Sequence, residues 1–88
     1  MPASEFHYVY ILVSESDPSR HYTGCTTDLP ARLEIHNEGG VPHTSKYRPW
    51  RIETAIRFRS QEKARAFESY LNFRLPDLYR ELAAIPGK

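Results

Sequence analysis

The hydrophobic and polar positions of this chain change their period several times, and each change marks a predicted element. Tyr8 to Val13 is rich in β-branched and aromatic residues, which is typical of a buried strand. The turn-forming residues 14–19 separate it from a second predicted strand, Arg20 to Gly24. Apolar residues recur through Trp50 to Phe58, which predicts a third strand.

Helical spacing follows in later stretches of the chain. A helix is predicted from Leu29 to Asn37, between the possible caps at 26–28 and a glycine-containing cluster. A second helix is predicted from Gln61 to about Arg74, and Ser60 can cap it. Its inward stripe is predicted to contain Ala64, Phe67, Tyr70, Leu71 and Leu75.

Pro76 interrupts the second helical pattern, and Asp77 to Ile85 predicts a short final helix. The order of elements is therefore β-β-α-β-α-α. We expect an α+β fold in which a small three-stranded antiparallel sheet is flanked by helices. The chain of 88 residues is expected to form one domain over 1–88, since it is too short for a second core.

Composition narrows the class of protein. The chain is 40% hydrophobic and 26% charged, which is ordinary for a soluble globular domain. No apolar run approaches the roughly 20 residues of a membrane span, and the first residues do not resemble a secretion signal. The one cysteine, Cys25, excludes an internal disulfide and fits a reducing compartment. We expect a cytoplasmic protein that makes no contact with a membrane.

The net charge of +1 conceals an uneven distribution. Residues 30–75 contain nine basic and five acidic side chains, whereas the rest of the chain contains three basic and six acidic ones. A basic centre is compatible with a phosphate-containing partner, although solvated helix surfaces of mixed sign have the same composition.

Five side chains indicate a specific chemistry. Tyr10 and Tyr22 lie on the two strands of the predicted hairpin, so their phenols can share one surface. Arg32 and His36 are four residues apart, which places both on one face of a helix. Glu68 lies beside the apolar stripe of the next helix. Each also has a structural explanation: packing for the tyrosines, an exposed helix surface for the pair, and a solvent-facing or salt-bridged carboxylate.

The functional interpretation is a site for a phosphate and one divalent cation. The planar fork of Arg32 suits a phosphate, and His36 can accept a proton near neutral pH. A carboxylate close to a core, such as Glu68, is costly unless it is paired or binds a metal. One carboxylate is sufficient for Mg²⁺ when a phosphate and waters complete the octahedron.

Taken together, these residues resemble the GIY-YIG endonuclease family. Tyr8-Val9-Tyr10 looks like the first signature segment, and Tyr22-Thr23-Gly24 looks like the second. The order and spacing of Arg32, His36 and Glu68 are similar to those of the family's arginine, its histidine or tyrosine, and its metal-binding glutamate. The loop and strand entrance from His43 to Trp50 resembles that of small stand-alone members. The likeness extends over most of Tyr8 to Leu75.

The resemblance implies hydrolysis of phosphodiester bonds in DNA with one Mg²⁺ or Mn²⁺ ion. Branched and nicked structures are among the substrates that it implies. Glu68 would hold the metal, and Arg32 would stabilise the charge that builds on the phosphoryl group. Tyr10, Tyr22 or His36 would orient and deprotonate the attacking water. Lys46 and Arg48, in the polar loop, are expected to bind nucleic acid.

The chain departs from the family pattern at Cys25, where some relatives carry a lysine that can activate a tyrosine. An ordinary phenol has a pKa near 10 and is a weak base at neutral pH, so we prefer His36 as the base. The same departure motivates two alternatives, a non-catalytic nucleic-acid-binding module and an interaction adaptor. Because so short a chain contacts few nucleotides, a protein partner or self-association is also expected.

Overall fold

The computed structural model describes residues 5–83, and within them three strands and two helices form an α+β fold. The order is β-β-α-β-α, with one short 3₁₀ turn, Ser45–Tyr47, before the last strand. The elements are β1 (His7–Ser14), β2 (His21–Thr26), α1 (Leu29–Asn37), β3 (Trp50–Phe58) and α2 (Gln61–Ala83). Among the described residues, no helix has the length and apolar character needed to cross a membrane.

The sheet is antiparallel with the order β2-β1-β3, so the first strand is central. Alternate residues of β1 face opposite sides, because successive side chains of a strand point in opposite directions. Val9 and Ile11 pack with Ala64 and Leu71 of α2 on one side. The opposite side of the sheet contains a second cluster, made by Tyr10, Leu12 and Trp50 with Leu29 and Leu33 of α1.

The first helix has the boundaries that the sequence predicts. Asp28 caps it by accepting a hydrogen bond from the Ala31 amide at 3.1 Å, and Gly39 follows it with a φ of 85°. The Asn37 side chain accepts from the Trp50 amide at 2.6 Å and donates to the Trp50 carbonyl at 3.0 Å. This pair of bonds fixes the end of α1 to the start of β3.

The prediction of a separate final helix is wrong, because α2 continues through Pro76 as one helix of 23 residues. Leu75 and Leu78, on either side of Pro76, both pack against the cluster around Val9. This shared packing offsets the backbone hydrogen bond that a proline cannot donate. The predicted end at Ile85 lies outside the described residues.

The predicted burial of Tyr70 is also wrong, since its exposed fraction is 58%. One residue of helix turns the side chain by about 100°, so Tyr70 points well away from its buried neighbour Leu71. The Tyr70 ring contacts the Phe67 ring in a tilted arrangement, with 6.3 Å between centroids.

Both helices begin at the same end of the sheet. Tyr8, near the start of β1, pairs with Thr26 at the end of β2, and α1 begins three residues later. His7 pairs with Phe58 at the end of β3, and α2 begins at Gln61. We call this the cleft end of the sheet, because a surface cleft opens there.

Candidate active site

A cleft of about 430 Å³ opens beside β2 at this end of the sheet. Four of the five side chains that the sequence singles out line it, namely Tyr10, Tyr22, Arg32 and Glu68. The remaining lining residues are His7, Gly24, Cys25, Thr26, Thr27, Gln61 and Arg65. The cleft therefore combines phenols, guanidinium groups and a carboxylate from elements that are distant in sequence.

The two tyrosines reach the cleft because of the hairpin register. Tyr10 pairs with Gly24, and Tyr22 pairs with Leu12, which lies two residues further along β1. Paired residues of antiparallel strands project to the same face, so both phenols lie on the side of the sheet that carries α1. Tyr10 is deeply placed, with an exposed fraction of 2%, whereas Tyr22 is half-buried.

Glu68 and Arg32 enter the cleft from helices on opposite faces of the sheet. Glu68 is half-buried and shares a helical stripe with Gln61 and Arg65. Among the described side chains it makes no hydrogen bond and no ion pair within 4.0 Å. This leaves the carboxylate available for a ligand, in contrast to the salt-bridged alternative.

Arg32 provides a second free polar group. Its Nε atom is buried and has no hydrogen-bond partner among the described residues. A buried donor without a partner costs about 1–3 kcal/mol, which a bound anion would offset. The guanidinium plane suits a tetrahedral oxyanion such as phosphate.

His36 does not line the cleft; it is fully buried behind Tyr10. Its Nε2 lies 2.9 Å from the Tyr10 hydroxyl, and its Nδ1 lies 2.8 Å from the Thr44 hydroxyl. It also contacts the Tyr22 ring edge-on, with 5.1 Å between centroids. The expectation that His36 meets the attacking water directly is therefore corrected, because Tyr10 separates it from the cleft.

The hydrogen-bond directions in this network follow from Thr44. Its hydroxyl donates to the Val41 carbonyl at 3.2 Å, so its oxygen is left to accept from Nδ1–H of His36. Nε2 is then the unprotonated nitrogen, and the Tyr10 hydroxyl donates to it. Tyr10 thus directs its proton inward and presents its lone pairs to the cleft.

Burial acts on both partners of this hydrogen bond. It raises the pKa of Tyr10, while a hydrogen bond with Arg32 and then the charge of Arg32 oppose that shift. It lowers the pKa of His36 below its usual 6.5, and the charge of Arg32 lowers it further. The resting pair is consequently a neutral phenol and a neutral imidazole.

The two residues predicted to bind nucleic acid lie away from the cleft. The 3₁₀ turn that carries Lys46 is fixed by Ser14, whose hydroxyl donates to the Tyr47 carbonyl at 2.7 Å, at the opposite end of β1. Arg48 donates to the Ser45 carbonyl at 2.8 Å in the same loop. Neither residue lines the cleft, and along β1 the anchor Ser14 lies two residues, roughly 7 Å, beyond Leu12, the strand partner of the cleft residue Tyr22.

Sequence reasoning missed Thr44, Gln61 and Arg65. The last two could have been found, because with Glu68 they repeat at intervals of four and three residues on one helix. Thr44 carries no such signal, since it lies in an irregular loop. Cys25 packs against the Val9 cluster and also lines the cleft.

Comparison with known proteins identifies the family. The model of the GIY-YIG catalytic domain matches residues 6–73. The chain belongs to the GIY-YIG family. Its resemblance to that family is thus confirmed over most of its length, and the two signature segments are the strands that carry Tyr10 and Tyr22.

Two groups of relatives are similar to this GIY-YIG chain. The structure-specific endonuclease subunit SLX1 of Scheffersomyces stipitis is 41% identical over 70 residues, covering 72% of this chain and 21% of the relative. A UPF0213 protein of Streptococcus pneumoniae is 38% identical over 66 residues, covering 74% of this chain and 67% of the relative. The chain thus spans about a fifth of the first relative's length. No solved structure gives a significant match.

Proposed function

We propose that this GIY-YIG chain is a metal-dependent endonuclease that hydrolyses phosphodiester bonds in DNA. The observation that supports it best is the convergence, beside the Tyr10 hydroxyl, of the unpaired Nε of Arg32 and the Glu68 carboxylate, which has no partner among the described side chains. The similarity to a structure-specific endonuclease subunit supports branched or nicked DNA as the substrate class. It also supports action with a protein partner or a second copy. The free thiol of Cys25 fits a reducing compartment, and we place the activity in the cytoplasm.

Glu68 would hold a single divalent cation, Mg²⁺ or Mn²⁺. The described residues contain no group of three His, Cys, Asp or Glu side chains able to hold a metal. A lone carboxylate in a polar cleft fits Mg²⁺, which keeps several waters and takes the substrate phosphate as a further ligand. When bound, such an ion withdraws electron density from the phosphate and neutralises the leaving oxygen.

Arg32 would hold the scissile phosphate. Its buried Nε donates to a phosphate oxygen, and its fixed positive charge becomes more stabilising as negative charge builds in the transition state. The negative charge of the bound phosphodiester offsets the Arg32 charge that lowers the pKa of His36. The imidazole therefore becomes a stronger proton acceptor once the substrate is in place.

Tyr10 and His36 would act as one proton-accepting unit. The phenol oxygen takes a proton from the attacking water as its own proton passes to Nε2 of His36, 2.9 Å away. Thr44 stabilises the resulting imidazolium by continuing to accept from Nδ1. His36 thus keeps the role of base, although it acts through Tyr10. Tyr22, whose ring packs on His36, would orient the water.

A second candidate is a nucleic-acid-binding module without turnover. The observation that favours it is the raised pKa of Tyr10, because a protonated phenol is a weak base and Cys25 stands where some relatives have an activating lysine. Salt-sensitive DNA binding without a metal-dependent product would support this candidate.

The test is cleavage of flapped, branched and nicked DNA with Mg²⁺. We expect Glu68→Gln and Arg32→Ala each to lower the single-turnover rate by about 100-fold or more. Glu62→Gln, an exposed acid on the same helix that does not line the cleft, is the matched control and should retain the parental rate. Equal cutting by the parent and the Glu68 variant would refute the proposal.

A further inference from the structure

A pair of arginines converges on one aromatic ring at the cleft end of the sheet. The guanidinium carbon of Arg57 lies 4.2 Å from the centroid of the Phe6 ring, and that of Arg59 lies 5.2 Å from it. Both arginines are exposed, and the ring is half-buried. Among the described side chains, neither arginine has a carboxylate within 4.0 Å. We call these three residues the Phe6 cluster.

The sheet register connects the Phe6 cluster to the cleft. Tyr8 pairs with Arg57 on one side and with Thr26, a cleft residue, on the other. Phe6 directly precedes His7, which also lines the cleft, and Arg59 stands two residues before the cleft residue Gln61. The cluster and the cleft are therefore neighbouring parts of one surface.

A second pair of cations shares an aromatic ring at the opposite end of the sheet. Arg20 and Lys46 stand over the Tyr47 ring at 4.6 and 5.6 Å. There, however, Arg20 is paired with Asp17 at 3.5 Å. The Phe6 cluster differs in that two positive charges share one ring and no described carboxylate lies within 4.0 Å of either.

This arrangement suits a ligand with closely spaced negative charges. Stacking on the ring holds each guanidinium in place, so less conformational entropy is lost when it binds an anion. Two guanidinium groups beside a site for a scissile phosphate match successive phosphates of one strand. Such contacts position the substrate and do not depend on base sequence.

We propose that Arg57 and Arg59, supported by Phe6, bind the DNA backbone next to the phosphate held in the cleft. The assignment rests on the proposed nuclease function and extends it by naming the surface that carries the substrate. It replaces Lys46 and Arg48 as the principal contacts outside the cleft.

The experiment measures the Kd for flapped duplex DNA at several salt concentrations, in a Glu68→Gln background that prevents cleavage. One double variant carries Arg57→Gln and Arg59→Gln, and the matched control carries Arg20→Gln and Arg51→Gln, so each loses two exposed positive charges. We expect the first to raise Kd by about tenfold and to make the salt slope shallower by about 2. The control should bind as the background does. Thermal melts of all three proteins check that they remain folded.

The assignment would be overturned if the control raised the Kd for DNA as much as the Arg57 and Arg59 variant does, or more. An unchanged Kd for the Arg57 and Arg59 variant would overturn it as well. Cleavage is measured separately with Glu68 intact. A parent that binds DNA but never cuts it would refute the nuclease proposal alone, and the Kd comparison would still decide the surface. Absence of DNA binding by the parent would refute both.

Discussion

The ring of Tyr10 lies over Gly24, its partner on the neighbouring strand, in space that any side chain on residue 24 would fill. A Cβ atom built on Gly24 would overlap the Tyr10 hydroxyl and the ring carbon that carries it. The absence of a side chain there lets the phenol reach the floor of the cleft and the Nε2 of His36. Glycine is therefore required at this position of the second signature for a steric reason, and not for backbone flexibility.

Gly24→Ala should therefore displace the phenol. We expect a loss of about 1–3 kcal/mol in the free energy of unfolding, typical of an overpacked site, together with a strong loss of cleavage. Urea denaturation and single-turnover kinetics provide the measurements. In a Tyr10→Leu background the same alanine should cost much less, because the ring is gone. An equal cost in both backgrounds would show that Gly24 serves some other purpose.

Removal of the Thr44 hydroxyl should free the His36 ring to change its tautomer. We expect Thr44→Val to slow cleavage by about 100-fold while the Kd for DNA stays unchanged, because Thr44 lies behind the site. Thr44→Ser keeps the hydroxyl and should recover most of the rate. The pH profile should also shift in the valine variant and return in the serine variant. Failure of serine to restore the profile would indicate that Thr44 acts only through packing.

The buried imidazole predicts a pH dependence of stability. Because burial lowers the pKa of His36, the unfolded chain binds a proton more readily than the folded protein near its usual 6.5. Its contribution to stability is therefore complete above that pH and decreases as the pH falls toward the folded pKa. His21, whose pKa burial also lowers, acts in the same direction.

Urea denaturation between about pH 7 and about pH 5 tests this linkage. The free energy of unfolding should fall less steeply in His36→Gln than in the parent. His43→Gln, which changes an exposed loop histidine, should keep the parental slope. Identical slopes in all three proteins would contradict the assignment.

Removal of the metal should separate cutting from binding. Chelation with EDTA is expected to stop cleavage, while DNA remains bound through arginine contacts. Since one carboxylate holds a divalent ion weakly without substrate, millimolar Mg²⁺ alone should barely change Tm. A large rise in Tm on adding Mg²⁺ to the free protein would point to a metal site made of more than Glu68.

Pro76→Ala should stabilise the protein. The exposed proline interrupts the hydrogen bonds of a helix that is otherwise continuous. Alanine restores a backbone N–H at this position and should add about 1–3 kcal/mol to the free energy of unfolding without changing cleavage. Destabilisation by this substitution would mean that the proline ring makes a packing contact of its own.

Local chemistry explains which elements the sequence could predict. The predicted bounds of α1 are correct because a cap and a terminating glycine mark its two ends. The predicted bounds of β3 are correct because its apolar residues recur from Trp50 to Phe58. The end of α2 was misjudged because the packing of Leu75 and Leu78 on the sheet outweighs the local preference of Pro76. The presence of a proline predicts the local backbone preference, but it does not predict which distant residues the helix packs against.

The same distinction holds for the site. Tyr10, Tyr22, Arg32 and Glu68 were found because strand and helix spacing constrain the faces on which they lie. The hydrogen bond between His36 and Thr44 could not be predicted, since that threonine lies in an irregular loop. Hydrogen bonds of Ser14 and Asn37 to residues distant in sequence set the position of that loop. Such bonds produce no periodic pattern in the sequence.

The common starting point of the two helices determines the electrostatic potential of this molecule. Each helix carries a partial positive charge of about half a unit at its first turn. The Asp28 carboxylate at the N-cap offsets part of this charge in α1, and Glu62 does so in α2. What remains adds to Arg32 and Arg65, which outnumber Glu68 among the residues that line the cleft, so the cleft is cationic although the chain as a whole carries only +1. Its isoelectric point is accordingly a poor guide to where an anion first contacts the surface.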